Sequence, residues 1–104
     1  MSSVRTGRVG AEIQRVLSTK LLKTPAFLTI LEVEMTPDLA AAKIYFSLFG
    51  SDTQCKQTLE FLEQEKKALR MEVARQVKLR IVPELNWIRD NTPERADRIH
   101  QLLK

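Results

Sequence analysis

Lys78 and Arg80 alternate with Val77, Leu79 and Ile81 in the stretch VKLRIVPEL, residues 77–85, and Pro83 stops whatever precedes it. Ammonium and guanidinium groups at this density do one kind of chemistry well: they hold anions, phosphate above all. Other chemistries lack their residues. Cys55 is the single cysteine and His100 the single histidine, so neither an internal disulfide nor a zinc set can be assembled. No phosphate loop, nucleophile–base pair or cofactor fingerprint occurs, and the chain is not expected to be an enzyme or to carry a cofactor or metal. Cys55 reads as a passive helix residue. His100 reads as a surface residue on the polar side of a terminal helix.

The cations are not spread evenly. The 104 residues hold 17 basic and 13 acidic side chains, a net charge of +4. Residues 1–23 carry five basic groups and one acidic; residues 66–80 carry six and one; the intervening 24–65 carry two and seven. Two basic segments therefore flank an acidic middle, which suits an anionic partner such as nucleic acid or a membrane surface. The plainer reading of such cations is a solvated helix face. No apolar run approaches the roughly 20 residues of a membrane span. MSSVRTGRVG has no apolar core of a secretory signal, and a cytoplasmic location is expected.

Hydrophobic spacing predicts the elements that position these charges. Val9, Ile13, Val16, Leu17 and Leu21 give a helix from about Val4 to Leu22, ended by Pro25. Residues 26–35 and 40–49 read as strands of an antiparallel hairpin, turned by Pro37 and Asp38. Tyr45 and Phe46 take opposite faces of the second strand. Ser51 or Asp52 caps a helical stretch from Thr53 to Leu79. Leu59, Leu62, Leu69, Val73 and Val77 form its apolar stripe, with Lys66 in the middle of it. Burying an unpaired ammonium is costly, so the stripe predicts a kink or break at QEKK, residues 64–67, giving two helices; the alternative is a straight helix from which Lys66 snorkels. Glu72 reads as a charge balancer beside Arg75 and Arg70. Residues 84–90 read as a third strand with Leu85 and Trp87 on its core face. A short helix follows, capped by Asn91 or Thr92, with Pro93 at its first position.

The resulting α+β order, α-β-β-α-α-β plus a terminal helix, is that of a type II KH domain, an RNA-binding module. Beyond the order, EVEMTPDLAAAKIYFSLFG (32–50) and LRIVPELNWIRDNT (79–92) resemble the ribosome-binding factor A family of bacterial small-subunit assembly factors. RVGAEIQRVLS, KTP and RIHQLL add weaker support. The resemblance implies one KH-like ribosome-binding domain over 1–104, a helix pair packed on a three-stranded sheet, with 1–3 and 91–104 as mobile ends. It implies a non-catalytic factor that binds 16S rRNA on the free small (30S) subunit during late maturation and 5′-end processing. A role in cold adaptation, no small-molecule substrate and a monomeric state off the ribosome follow from it as well. The competing reading is an interaction protein docking on ribosomal protein or on dormant ribosomes.

Candidate RNA-binding residues are Arg5, Arg8, Arg15, Lys66, Lys67, Arg70, Arg75, Lys78 and Arg80. Arg70, Arg75, Lys78 and Arg80 are expected to be free to face phosphate from a helix ending at Leu79, and Trp87 to lie in the core although aromatics can stack bases. The chain departs from the pattern in two places. The glycine-containing interruption between the two KH helices is replaced by Glu65-Lys66-Lys67, and the arginine that follows the proline before the first strand is Ala26. GRVG at 7–10 matches a GxxG loop as text but falls inside the first helix.

Overall fold

Val9, Ile13, Val16 and Leu17, all buried, give the first helix one apolar face, and it forms as α1, Ser2–Lys20. The computed structural model describes residues 2–90, with side chains from Gly7 onward. The expected helix after Asn91 and the expected surface position of His100 lie outside the described residues. After α1 come β1 (Phe27–Met35), β2 (Ala41–Phe49), α2 (Asp52–Gln76) and β3 (Glu84–Arg89). The sheet order is β1-β2-β3, with β1 antiparallel and β3 parallel to the central β2.

A register shift between Ile30 and Glu32 reverses the faces of β1. Leu28 and Ile30 pack on the core before it, Val33 and Met35 after it. Gln14 of α1 donates from Nε2 to the Ile30 carbonyl at 3.0 Å, supplying a partner at the bulge. The hairpin turn closes on Thr36, whose hydroxyl donates to Asp38 and accepts from the Ala41 amide at 3.1 Å. Leu39 takes φ 62° there while its side chain packs against the core. Phe46 is buried and Tyr45 half-buried on the other face, as the alternation requires. Leu85 is buried, and Trp87 meets Phe46 edge-on with ring centroids 5.9 Å apart.

The predicted helix pair is a single helix. Ser51 caps α2 with a full capping box: its hydroxyl accepts from the Gln54 amide, and the Gln54 side chain accepts from the Ser51 amide. From there α2 runs without interruption through QEKK. Two features of the sequence misled the break. Leu59 is partly exposed and outside the stripe, whose buried members are Cys55, Thr58, Leu62, Leu69 and Val73. And Lys66 faces no core: an open groove of about 510 Å³ lies between mid-α2 and the start of β3, lined by Glu63, Gln64, Lys66, Lys67, Arg70, Glu84 and Leu85. The ammonium stays in water, so nothing forces a bend. The helix also ends earlier than Leu79, because Val77 adopts an extended backbone (φ −102°, ψ 107°) while its side chain is buried.

Two glycines in α1 test how closely it approaches the sheet. A Cβ at Gly10 would sit 2.8 Å from the Val33 carbonyl oxygen, a backbone atom that cannot turn away, whereas one at Gly7 would meet nothing within 4 Å. Gly7→Ala is expected to raise stability by up to about 1 kcal/mol through helix propensity. Gly10→Ala, with the same propensity gain, is expected to lower it. Urea unfolding of both variants checks the opposite signs.

Candidate nucleic-acid interface

The basic residues singled out in the sequence fall into three groups. Arg8 and Arg15 are exposed on α1, two turns apart and on the side away from Val9, Ile13 and Val16. Arg5 belongs to α1, but its side chain lies outside the described residues. Lys66, Lys67 and Arg70 line the groove between α2 and β3, together with the carboxylates of Glu63 and Glu84. Lys78 and Arg80 are exposed, on an extended link between Gln76 and β3 rather than on a helix. Lys66, Lys67, Lys78 and Arg80 form no ion pair among the described residues.

Arg70 is not free. Its Nε donates to the Pro83 carbonyl at 3.2 Å and its Nη2 to the Val82 carbonyl at 3.0 Å. One guanidinium thus satisfies two carbonyls of the link just before β3, and Pro83 itself is buried. Arg70 braces the chain where it enters the sheet, a role that its place in a basic run concealed.

Arg75 is not free either. It donates through Nε and Nη2 to both carboxylate oxygens of Glu72. Gln76 Nε2 donates to the same Glu72 Oε1 at 2.6 Å, and the Lys20 ammonium of α1 stands 3.7 Å from it. Arg75, then Gln76 and Lys20, hold the Glu72 carboxyl well below its ordinary value of 4.5, at about 2. The Arg75 guanidinium is pushed up in turn by that carboxylate. Glu72 therefore does more than balance neighbours on its own helix, and Arg70 is not among its partners. Lys20 was missed as a member of the site. Its signal was spacing: Val9, Ile13, Val16 and Lys20 follow one another at four, three and four residues, so Lys20 continues the inward stripe of α1 and reaches α2.

Other candidates are placed in the structural frame. Cys55 is buried, its Sγ 3.8 Å from the Gly50 carbonyl. Ala26 is buried, and its amide donates to the hydroxyl of the fully buried Thr58 at 2.8 Å. A Cβ at Gly50 would come within 3.3 Å of Ala26. That packing admits a methyl group and leaves no cation there. Trp87 is half-buried and edge-on to Phe46, and its Nε1 is buried with no acceptor among the described residues. Among the described residues there is no cluster of three potential metal ligands, and no helix is long and apolar enough to cross a membrane.

The ribosome-binding factor A family model matches residues 5–103. A ribosome-binding factor A of Chlorobium phaeobacteroides is 38% identical over 108 residues, covering 98% of this chain and 93% of its own. That of Dictyoglomus thermophilum is 40% identical over 106 residues, covering 96% and 88%. The solution structure of a putative ribosome binding factor A from Thermotoga maritima superposes with a TM-score of 0.66 at 27% identity, over 86% of this chain and 91% of that one. A homology model of the Thermus thermophilus factor, fitted into a cryo-electron-microscopy map of a 30S complex with it, shares the fold with a TM-score of 0.65 at 24% identity, over 80% and 92%.

Because the folded-state value of Glu72 is depressed, its ion-pair contribution is present above about 4.5 and is lost as pH falls towards about 2. Carbon-detected titration of the Glu72 carboxyl should show a midpoint clearly below the ordinary glutamate value of 4.5. A midpoint at that ordinary value would mean that the cluster with Lys20, Arg75 and Gln76 does not form in solution.

Proposed function

The chain belongs to the ribosome-binding factor A family, and we propose that it works as a non-catalytic assembly factor, binding the 16S rRNA of the free small ribosomal subunit during late maturation and 5′-end processing. The match across residues 5–103 carries this reading. A relative of the same fold has been fitted to a 30S complex, which supports the small subunit as the partner. The proposal includes a single domain acting as a monomer in the cytoplasm, most needed at low temperature.

Phosphate contacts are assigned first to Lys66 and Lys67 at the groove, and to Lys78 and Arg80 on the link that follows α2. All four are exposed. Arg8 and Arg15, exposed on α1, are assigned as a second contact, together with Arg5 of the same helix. With α2 unbroken at QEKK and no glycine there, a close backbone approach of the GxxG kind has no place to form, so side-chain charge does the holding. Arg70 contributes indirectly, by fixing the link that carries Lys78 and Arg80.

Binding held by phosphates falls with salt, log K declining by about 0.7 to 0.9 per phosphate neutralised. Changing Lys66, Lys67, Lys78 and Arg80 to glutamate should therefore weaken binding to purified free small subunits and flatten the salt slope. It should leave the fold intact, since exposed charges contribute little to stability. Normal affinity with an unchanged slope would remove these four residues from the interface. In sucrose gradients the protein should travel with free small subunits; sedimentation with whole ribosomes would favour the docking-protein reading instead.

A further inference from the structure

The junction of α1 and α2 holds a set of donors on a single carboxylate. Arg75 presents two N–H groups to the two oxygens of Glu72, Gln76 adds its carboxamide at 2.6 Å, and Lys20 stands 3.7 Å away. Fork-shaped guanidinium donors with an ammonium and an amide beside them are the donor set that a phosphate oxygen triangle takes. The two cations outnumber the one carboxylate, so the cluster keeps a net charge of +1. Its cations face solvent, the side chains of Arg75 and Lys20 being 68% and 47% exposed, while the Glu72 side chain they cover is 16% exposed. It is here that a residue from the first basic segment meets one from the second.

We propose that Lys20, Arg75 and Gln76 form a phosphate-binding site that Glu72 fills as an internal stand-in, and that a backbone phosphate of the bound RNA displaces the Glu72 side chain from it. Nothing needs to unfold for the exchange. Glu72 is joined to Cα by a flexible chain, and its partners Arg75 and Lys20 reach it from the solvent side, so the carboxylate can swing out and leave its donors to another anion. A phosphodiester carries the same single charge as the carboxylate and brings its own binding energy from the rest of the RNA. The site would then add a contact only for an RNA correctly seated elsewhere, because a loose anion must compete with a carboxylate tethered in place. This inference rests on the RNA-binding reading above for its physiological ligand, but the anion site itself can be examined without RNA.

The test uses the full chain, Glu72→Gln and, as a control for simple loss of negative charge, Glu60→Gln on the same helix. Inorganic phosphate is titrated while the side-chain resonances of Lys20, Arg75 and Gln76 are followed by NMR. Glu72→Gln should saturate at a phosphate concentration several-fold lower than either wild type or Glu60→Gln. Adding Lys20→Met to Glu72→Gln should reverse the gain. Against single-stranded oligouridylate, Glu72→Gln should show a less inhibited site, with several-fold tighter binding than Glu60→Gln at equal salt. Equal phosphate titrations in Glu72→Gln and Glu60→Gln would overturn the site. If phosphate saturates the opened site but wild-type binding to small subunits proves independent of salt, the site stands as an anion site, while its RNA role falls together with the broader reading.

Discussion

β3 lies parallel to β2, and that constraint organises the rest of the molecule. A parallel neighbour cannot be reached by a tight turn; the chain must be carried back along the length of the sheet. α2 is the return. Its 25 residues span roughly 37 Å, more than the length of the strand it bridges. It overshoots the start of β3, and the extended link after Val77 has to bring the chain back. Every fixture at that place serves the return: Val77 buried at the helix end, Pro83 buried before the strand, Arg70 holding the Val82 and Pro83 carbonyls, and the Glu84 amide donating to Ala40 at 2.9 Å. The alternating VKLRIVPEL stretch thereby gains a physical explanation. Its apolar members anchor the link, and Lys78 and Arg80 are what the anchoring leaves outside.

Charge in this fold does two different jobs that composition cannot separate. Arg70 and Arg75 belong to the same basic run as Lys78 and Arg80, yet each already has partners within the chain. An arginine whose donors are spent on backbone carbonyls is part of the scaffold, and removing it exposes a loss of order rather than a loss of contact. The groove beside it is mixed in sign, three cations against Glu63 and Glu84. A mixed lining gives a weaker general attraction for anions than the local net charge of the segment suggests. It favours a ligand whose charges are placed, with phosphates near Lys66 and Lys67 and something other than phosphate near the carboxylates.

Much of the architecture could be read from the sequence because local signals agreed with the tertiary result. The β-branched and aromatic residues of 26–35 and 40–49, the Pro37–Asp38 turn and the Ser51 cap each specify the element that forms there, while the bulge after Ile30 that reverses the faces of β1 left no such signal. The α+β class followed from the order of the elements, and the family from long motifs. What could not be read depended on neighbours far along the chain. Lys66 falls in the apolar phase of α2, and only the groove between that helix and β3 shows why the position costs nothing. Leu59 looked like a stripe member because it shares the spacing, while Cys55 and Thr58, less apolar, hold the buried places. Thr58 earns its burial through a hydroxyl that accepts from Ala26, a partner 32 residues away. In the candidate interface, exposure of the lysines was legible from charge alone, but the partners of Arg70, Arg75 and Lys20 were not, since each depends on where another element is packed.

The unbroken α2 also changes how this chain can meet a phosphate. A glycine interruption lets backbone amides approach closely, and such donors are fixed in place before the ligand arrives. Without it, the available donors are lysine ammonium groups and arginine guanidinium groups on long flexible stems, which must be ordered on binding at a cost in side-chain entropy. Long-stem cations tolerate variation in the position of the phosphate and respond strongly to salt; fixed amides do neither to the same degree. The compensation visible in the structure is rigidity in the support. A helix continuous from Asp52 to Gln76 sets Lys66 and Lys67 on a frame that does not hinge between them, and the braced link holds the backbone of Lys78 and Arg80 close to that frame. An anion that orders those side chains would meet a backbone already held in place.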